Sequence, residues 1–203
     1  MENIRKYGEA PFNTALVHGG PGAPGYLAPV ARELSGDMGV LEPLQTAASL
    51  QGQVIELKAV LEKYGNLPVT LVGHSWGAML SLIFSARFPA IIKKIILIGS
   101  GPLEEKYADG IMDTRLNRLS NRERKEIYTL MESMNDPALR DKNSILCRFG
   151  ELCTKADCYH PLTLDTEVLE YQYHINEIVW NEARELRASG KLLESARLIQ
   201  CPV

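Results

Sequence analysis

Five residues, Gly73-His74-Ser75-Trp76-Gly77, follow the apolar run Val69-Thr70-Leu71-Val72 without a break and lead directly into a second apolar stretch. The first run has the length and β-branching of a buried strand, and the second has the length of a helix ended by Pro89. A strand that turns into a helix at a single serine restricts the possible folds severely. The strand must end at the edge of a sheet, and the helix must fold back over one face. Gly73 and Gly77 remove side chains where so tight a turn would clash. Ser75 is left with an exposed hydroxyl at a helix N-terminus, where the dipole favours negative charge.

The rest of the first half fits such a sheet. Residues 14–18 form a short β run that ends in a Gly/Pro loop. Residues 26–34 place Leu27, Val30, Ala31 and Leu34 on one helical face, with Gly36 as the stop. A second strand is predicted over 38–44. The clearest amphipathic helix covers 49–64, with Leu50, Val54, Leu57, Leu61 and Tyr64 on one side. Strands over 69–73 and 94–99 flank a helix over 76–88. This βαβαβαβ order predicts an α/β fold, a parallel sheet with helices on both faces. Ligands of such sheets gather at the carboxyl ends of the strands. The loop at 19–25, Ser75 and Ser100 all fall on that edge.

Beyond Leu103 the pattern becomes helical and more charged. Ser120-Asn121-Arg122-Glu123 is a capping box that opens a helix through Met134. Further helices are expected over about 138–153 and 166–188. Cys201-Pro202-Val203 reads as the first residues of a new strand. The expected division is a core over 1–102, an inserted helical cap over 103–198 and the start of a further core strand over 199–203.

Composition narrows the function. The chain has 203 residues, 45% of them hydrophobic, and a formal charge of −3. With no basic run, no nucleic-acid partner is expected. The apolar stretch 91–98 is broken by lysines and too short to span a bilayer, and residues 1–6 lack the apolar region of a secretory signal. A cytoplasmic protein without a membrane partner is the expectation. Cys147, Cys153 and Cys158 lie near His160, but their spacing matches no usual zinc pattern. Reduced thiols, no metal and no cofactor are expected.

A second motif, His18-Gly19-Gly20-Pro21-Gly22, follows the first strand at the same sheet edge. Acyl transfer needs two N–H donors aimed at the developing oxyanion. The backbone of Trp76, the residue after the serine, can supply one, and Gly20 the other. Together the two motifs resemble the α/β-hydrolase fold, specifically its proline iminopeptidase-like branch. The resemblance covers about residues 14–101, and the helical block resembles that family's cap. Two features depart from it: Gln45-Thr46-Ala47-Ala48 stands where an Asp-x-Arg-Gly-x-Gly segment is common, and the opening β-hairpin is expected to be short or missing.

The resemblance implies a serine hydrolase acting on a small acyl substrate, a peptide N-terminus, ester or amide. Ser75 would be the nucleophile and Gly20 and Trp76 the oxyanion hole. His18, Gly19, Gly22, Gly73 and Gly77 would support loop and turn, and Glu185 would hold a substrate amine. The family's acid and histidine follow a strand that begins near Cys201, so a truncated and inactive chain is expected. His160 and His174 are the only histidines after Ser75, and neither is assigned as base; His74 is expected to face away from the site. Glu104 or Glu105 would be an alternative acid only beside a base. The apolar strand 94–99 would then be a bare edge, open to homo-oligomer formation.

Two other readings stay open. Gly20, Gly22 and Gly25 also satisfy Gly-x-Gly-x-x-Gly, and Glu42 follows at the distance of a ribose-binding acid in a dinucleotide fold. Pro21 and Pro24 weigh against it by deleting donors a pyrophosphate would need. The third reading is a hydrolase-like pocket that binds without turnover.

Overall fold

The computed structural model describes residues 3–160 and 167–203. Five strands form one sheet: β1 (Ile4–Tyr7), β2 (Phe12–Val17), β3 (Gly39–Pro43), β4 (Val69–His74) and β5 (Ile92–Ile98), in the order β1-β3-β2-β4-β5. The last four are mutually parallel, and β1 runs antiparallel along β3 with Ile4 opposite Pro43. The predicted α/β sheet is therefore present, with an added antiparallel edge. A four-residue strand precedes β2 but pairs with β3 rather than with β2, so among the described residues no opening hairpin forms, in line with the expectation of a short or missing one. The residues of this strand, Ile-Arg-Lys-Tyr, gain a sheet partner only through β3, more than thirty residues on.

The helices of the first half are α1 (Ala28–Leu34), α2 (Leu50–Tyr64) and α3 (Trp76–Arg87). Ser49 caps α2 by accepting from Gly52 N–H. One face of the sheet buries Leu16 and Val40 against Leu27, the residue that precedes α1, and Ala31 within it. The other packs Val17, Leu41, Leu71 and Ile95 against Val54, Leu57 and Leu61 of α2 and Met79, Leu80 and Ile83 of α3. Helix α3 is apolar all round and buried through most of its length, which suits a helix with neighbours on every side.

The second half holds α4 (Ile111–Arg118), α5 (Asn121–Asn135), α6 (Lys142–Asp157), α7 (Tyr173–Ala188) and α8 (Lys191–Arg197). Helices α4–α6 close a separate small core of Leu116, Leu119, Ile127, Leu130, Leu152 and Ala156. The capping box on α5 forms as predicted, with Ser120 and Glu123 serving each other's backbone N–H. Helices α7 and α8 instead join the main core through Ile175, Val179, Ala183 and Leu192. The helix expected from 166 begins at Tyr173; residues 167–172 are irregular, and 166 itself lies outside the described residues. Helices α4 and α8, of eight and seven residues, are additional to the helices expected from sequence. Along the β5 edge, Ile95 N–H donates to Pro202 O at 3.0 Å, so residues after 200 lie beside it. Among the described residues, no helix is long and apolar enough to cross a membrane.

Candidate active site

Ser75 is the only non-glycine residue described with positive φ, at φ 53° and ψ −111°. Such a backbone carries strain of about 1–3 kcal/mol and persists only where the surroundings over-determine it. They do so from both sides. Ser75 N–H donates to Ile98 O at 2.9 Å, which carries the β4–β5 ladder up to the serine. Its carbonyl accepts from Ala78 N–H at 3.1 Å and Met79 N–H at 3.4 Å, which starts α3.

The two glycines are required by contact. A Cβ on Gly73 would lie 2.6 Å from Ala78 N, and one on Gly77 would run into the Val17 and His18 carbonyls. Strand β2 therefore ends against the first turn of α3. The next loop passes over the serine: a Cβ on Gly19 would stand 3.1 Å from Ser75 Cβ and 2.8 Å from His74 Nδ1. Among the described residues, the N–H groups of Gly20 and Trp76 have no hydrogen-bond partner. Trp76 stands in the first turn of α3, where no preceding helical carbonyl exists to accept. Its indole is fully buried, donates to Gln53 Oε1 at 2.9 Å and meets Trp180 edge to face.

The imidazoles occupy other roles. His18 is fully buried with Nδ1 3.0 Å from Gly19 O, and burial pushes its pKa down, toward the neutral ring. His74 stacks on Tyr26 at 5.6 Å, and burial lowers it too. His160 and His174 are exposed. None of the four hydrogen-bonds Ser75. Glu105 pairs with Arg187 at 2.6 Å, and Glu104 with Lys106 at 3.1 Å.

Glu185 lines a shallow surface groove with Leu50, Gln51, Arg87, Glu182 and Lys191. Arg87 ends the helix that Ser75 begins, so that groove lies at the other end of a twelve-residue helix, about 18 Å long. Glu185 and the serine are not brought together. The dinucleotide reading also meets a geometric objection. Glu42 is fully buried, accepts from Tyr7 Oη at 2.7 Å and lies 3.7 Å from Arg5, so no ribose reaches it. The four cysteines are free, and no metal-holding cluster forms among the described residues.

Contacts absent from the sequence reading lie across the glycine loop. Asn176 Nδ2 donates to Pro21 O at 2.9 Å, Gln172 N–H to Gly22 O at 2.8 Å and Leu169 N–H to Pro24 O at 2.9 Å. Positions about 150 residues apart leave no local pattern by which to find them. Glu56 was missed for the same reason: its carboxylate accepts from Asn3, from Thr46 N–H and hydroxyl, and from Ala47 N–H, pinning the segment that replaces the Asp-x-Arg-Gly motif.

A parallel sheet, a strained serine between β4 and α3 and a glycine loop above it together define a known architecture. The chain has the α/β-hydrolase fold. The model of the α/β-hydrolase fold family matches residues 51–130. The structure of VinJ superposes with a TM-score of 0.60 at 18% identity, covering 98% of this chain and 75% of that one. E-2-(acetamidomethylene)succinate hydrolase gives 0.56 at 18%, covering 98% and 74%. The thioesterase domain of the curacin biosynthetic pathway gives 0.54 at 19%, covering 98% and 75%. No curated protein matches in sequence.

Proposed function

We propose that this α/β-hydrolase-fold protein is a serine hydrolase of small acyl substrates, with Ser75 as nucleophile and the N–H groups of Gly20 and Trp76 as the oxyanion hole. The observation that carries this reading is the positive φ of Ser75 beneath a glycine loop, with two free donors on the flanking segments. Attack of Ser75 Oγ on a carbonyl carbon would move an electron pair onto the carbonyl oxygen. Two fixed N–H dipoles hold that charge without reorganisation, and each such donor is worth about 100- to 1000-fold in rate. His18, neutral and tied to Gly19 O, sets the start of the loop.

Esters and thioesters suit this arrangement better than peptide N-termini. Their leaving groups need less help from an acid, and Glu185, the candidate for an amine, sits beyond α3 from Ser75. Similarity to a thioesterase domain and to a hydrolase of an acylated amine supports the acyl class. No base is assigned to Ser75, so slow covalent capture is the appropriate readout. Incubation with a fluorophosphonate is expected to modify Ser75 stoichiometrically, located by peptide mass spectrometry, and to leave Ser75→Ala unmodified. Equal modification of Ser75→Ala, or none in either protein, would refute the assignment.

A further inference from the structure

We infer that Asn176 is a positioning residue: from α7 it holds the Gly20–Ala23 turn in its type II form and so fixes the path of the glycine loop that runs over Ser75. The inference rests on the reading of Ser75 and Gly20 given above. Ala23 N–H donates to Gly20 O at 3.0 Å, closing a four-residue turn. Proline at its second position and Gly22 at its third, with φ 74°, make it type II. The sequence Gly-Pro-Gly-Ala does not by itself choose this form. Proline suits the second position of types I and II alike, and glycine accepts either sign of φ at the third. The two differ by a flip of the peptide between Pro21 and Gly22, so whatever binds the Pro21 carbonyl decides between them.

Asn176 binds it. The bond spans 155 residues of chain and is partly shielded from water. Gln172 and Leu169 N–H groups take the Gly22 and Pro24 carbonyls on the same side. The Gln172 carbonyl fills the space a side chain on Gly22 would need, so the two segments fit only while that position stays bare. Three loop carbonyls are clamped to residues 169–176, while Gly19 of the same loop runs against Ser75. The helical second half thus fixes the geometry of a loop that belongs to the sheet.

The test uses Asn176→Asp, equal in size but without the donor, and Asn176→Gln, which keeps an N–H. Saturation kinetics of fluorophosphonate capture separate reagent binding from bond formation at Ser75, and amide hydrogen exchange at Ala23 reports the turn. Asn176→Asp is expected to slow bond formation about ten- to a hundredfold and leave reagent binding unchanged, as small misplacement does at a reacting centre. Exchange at Ala23 should rise about tenfold as the turn opens locally, and Asn176→Gln should recover most of both. Should Asn176→Asp fold poorly, Gly22→Ala parts the same two segments from the loop side and should reproduce both effects. Wild-type bond formation and Ala23 exchange in the Asp variant, or a Gln variant as impaired as Asp, would overturn the inference. If the wild type is not captured at all, the nucleophile reading fails, and Ala23 exchange in the variants still decides the role of Asn176 in the turn.

Discussion

At Gly77 an added methyl group would collide with backbone, which cannot swing aside as a side chain can. The Val17 and His18 carbonyls that it would meet belong to the end of β2 and to the loop above Ser75. Gly77→Ala is therefore expected to lose about 3 kcal/mol in urea unfolding, at the upper end of ordinary overpacking. Capture of Ser75 should slow with it, since the same carbonyls lead into the glycine loop. This residue was legible in sequence because strand, turn and helix are contiguous there, and their glycines report a local steric demand. Glu185 was not legible in the same way. Its position along the chain says nothing about which end of α3 its side chain lies beside.

Among the strands, β1 is the one that the sequence hid. Two of its four residues are charged, so no apolar alternation marks it. Its place is set by a polar cluster around the buried Glu42: Tyr7 donates to Glu42 at 2.7 Å, and Arg5 reaches both Glu42 and Glu167 at 3.7 Å. Burial pushes the Glu42 carboxyl above the usual range, with the Tyr7 hydroxyl and Arg5 pulling it back. Burial, and then Glu42, pushes the Tyr7 hydroxyl up to about 12. A phenol raised in the folded state contributes stability below its unfolded value, near 10, and loses it as pH rises through the folded value. Tyr7→Phe should then be less stable than wild type by about 1.5 kcal/mol at neutral pH. The difference should close between about pH 10 and 12 in urea titrations, as the wild type alone loses this contribution.

For the whole molecule, the helical half is divided between two cores. Helices α4–α6 enclose their own cluster, whereas α7 and α8 complete the packing over α2 and α3. Both tryptophans, Trp76 and Trp180, lie with the main core, and α4–α6 contain none. Ile127 is almost fully buried in the smaller cluster. Ile127→Ala is expected to destabilise α4–α6 by about 2–5 kcal/mol, seen as faster amide exchange in α5 and α6. The tryptophan fluorescence midpoint should stay near that of the wild type. A matched fall in both would mean that the two clusters unfold as one unit.

Local chemistry along the chain determined the α/β class, the serine turn, the glycine loop and the capping box, because each depends on neighbours within a few residues. Tertiary structure alone decided which groups meet across long separations: β1 on β3, Glu56 on residues 46–47, Glu185 away from Ser75, and Asn176 on Pro21. Those contacts depend on how helices and strands stack. The energy that selects them is spread over apolar faces that many sequences could provide, so no short motif records the outcome.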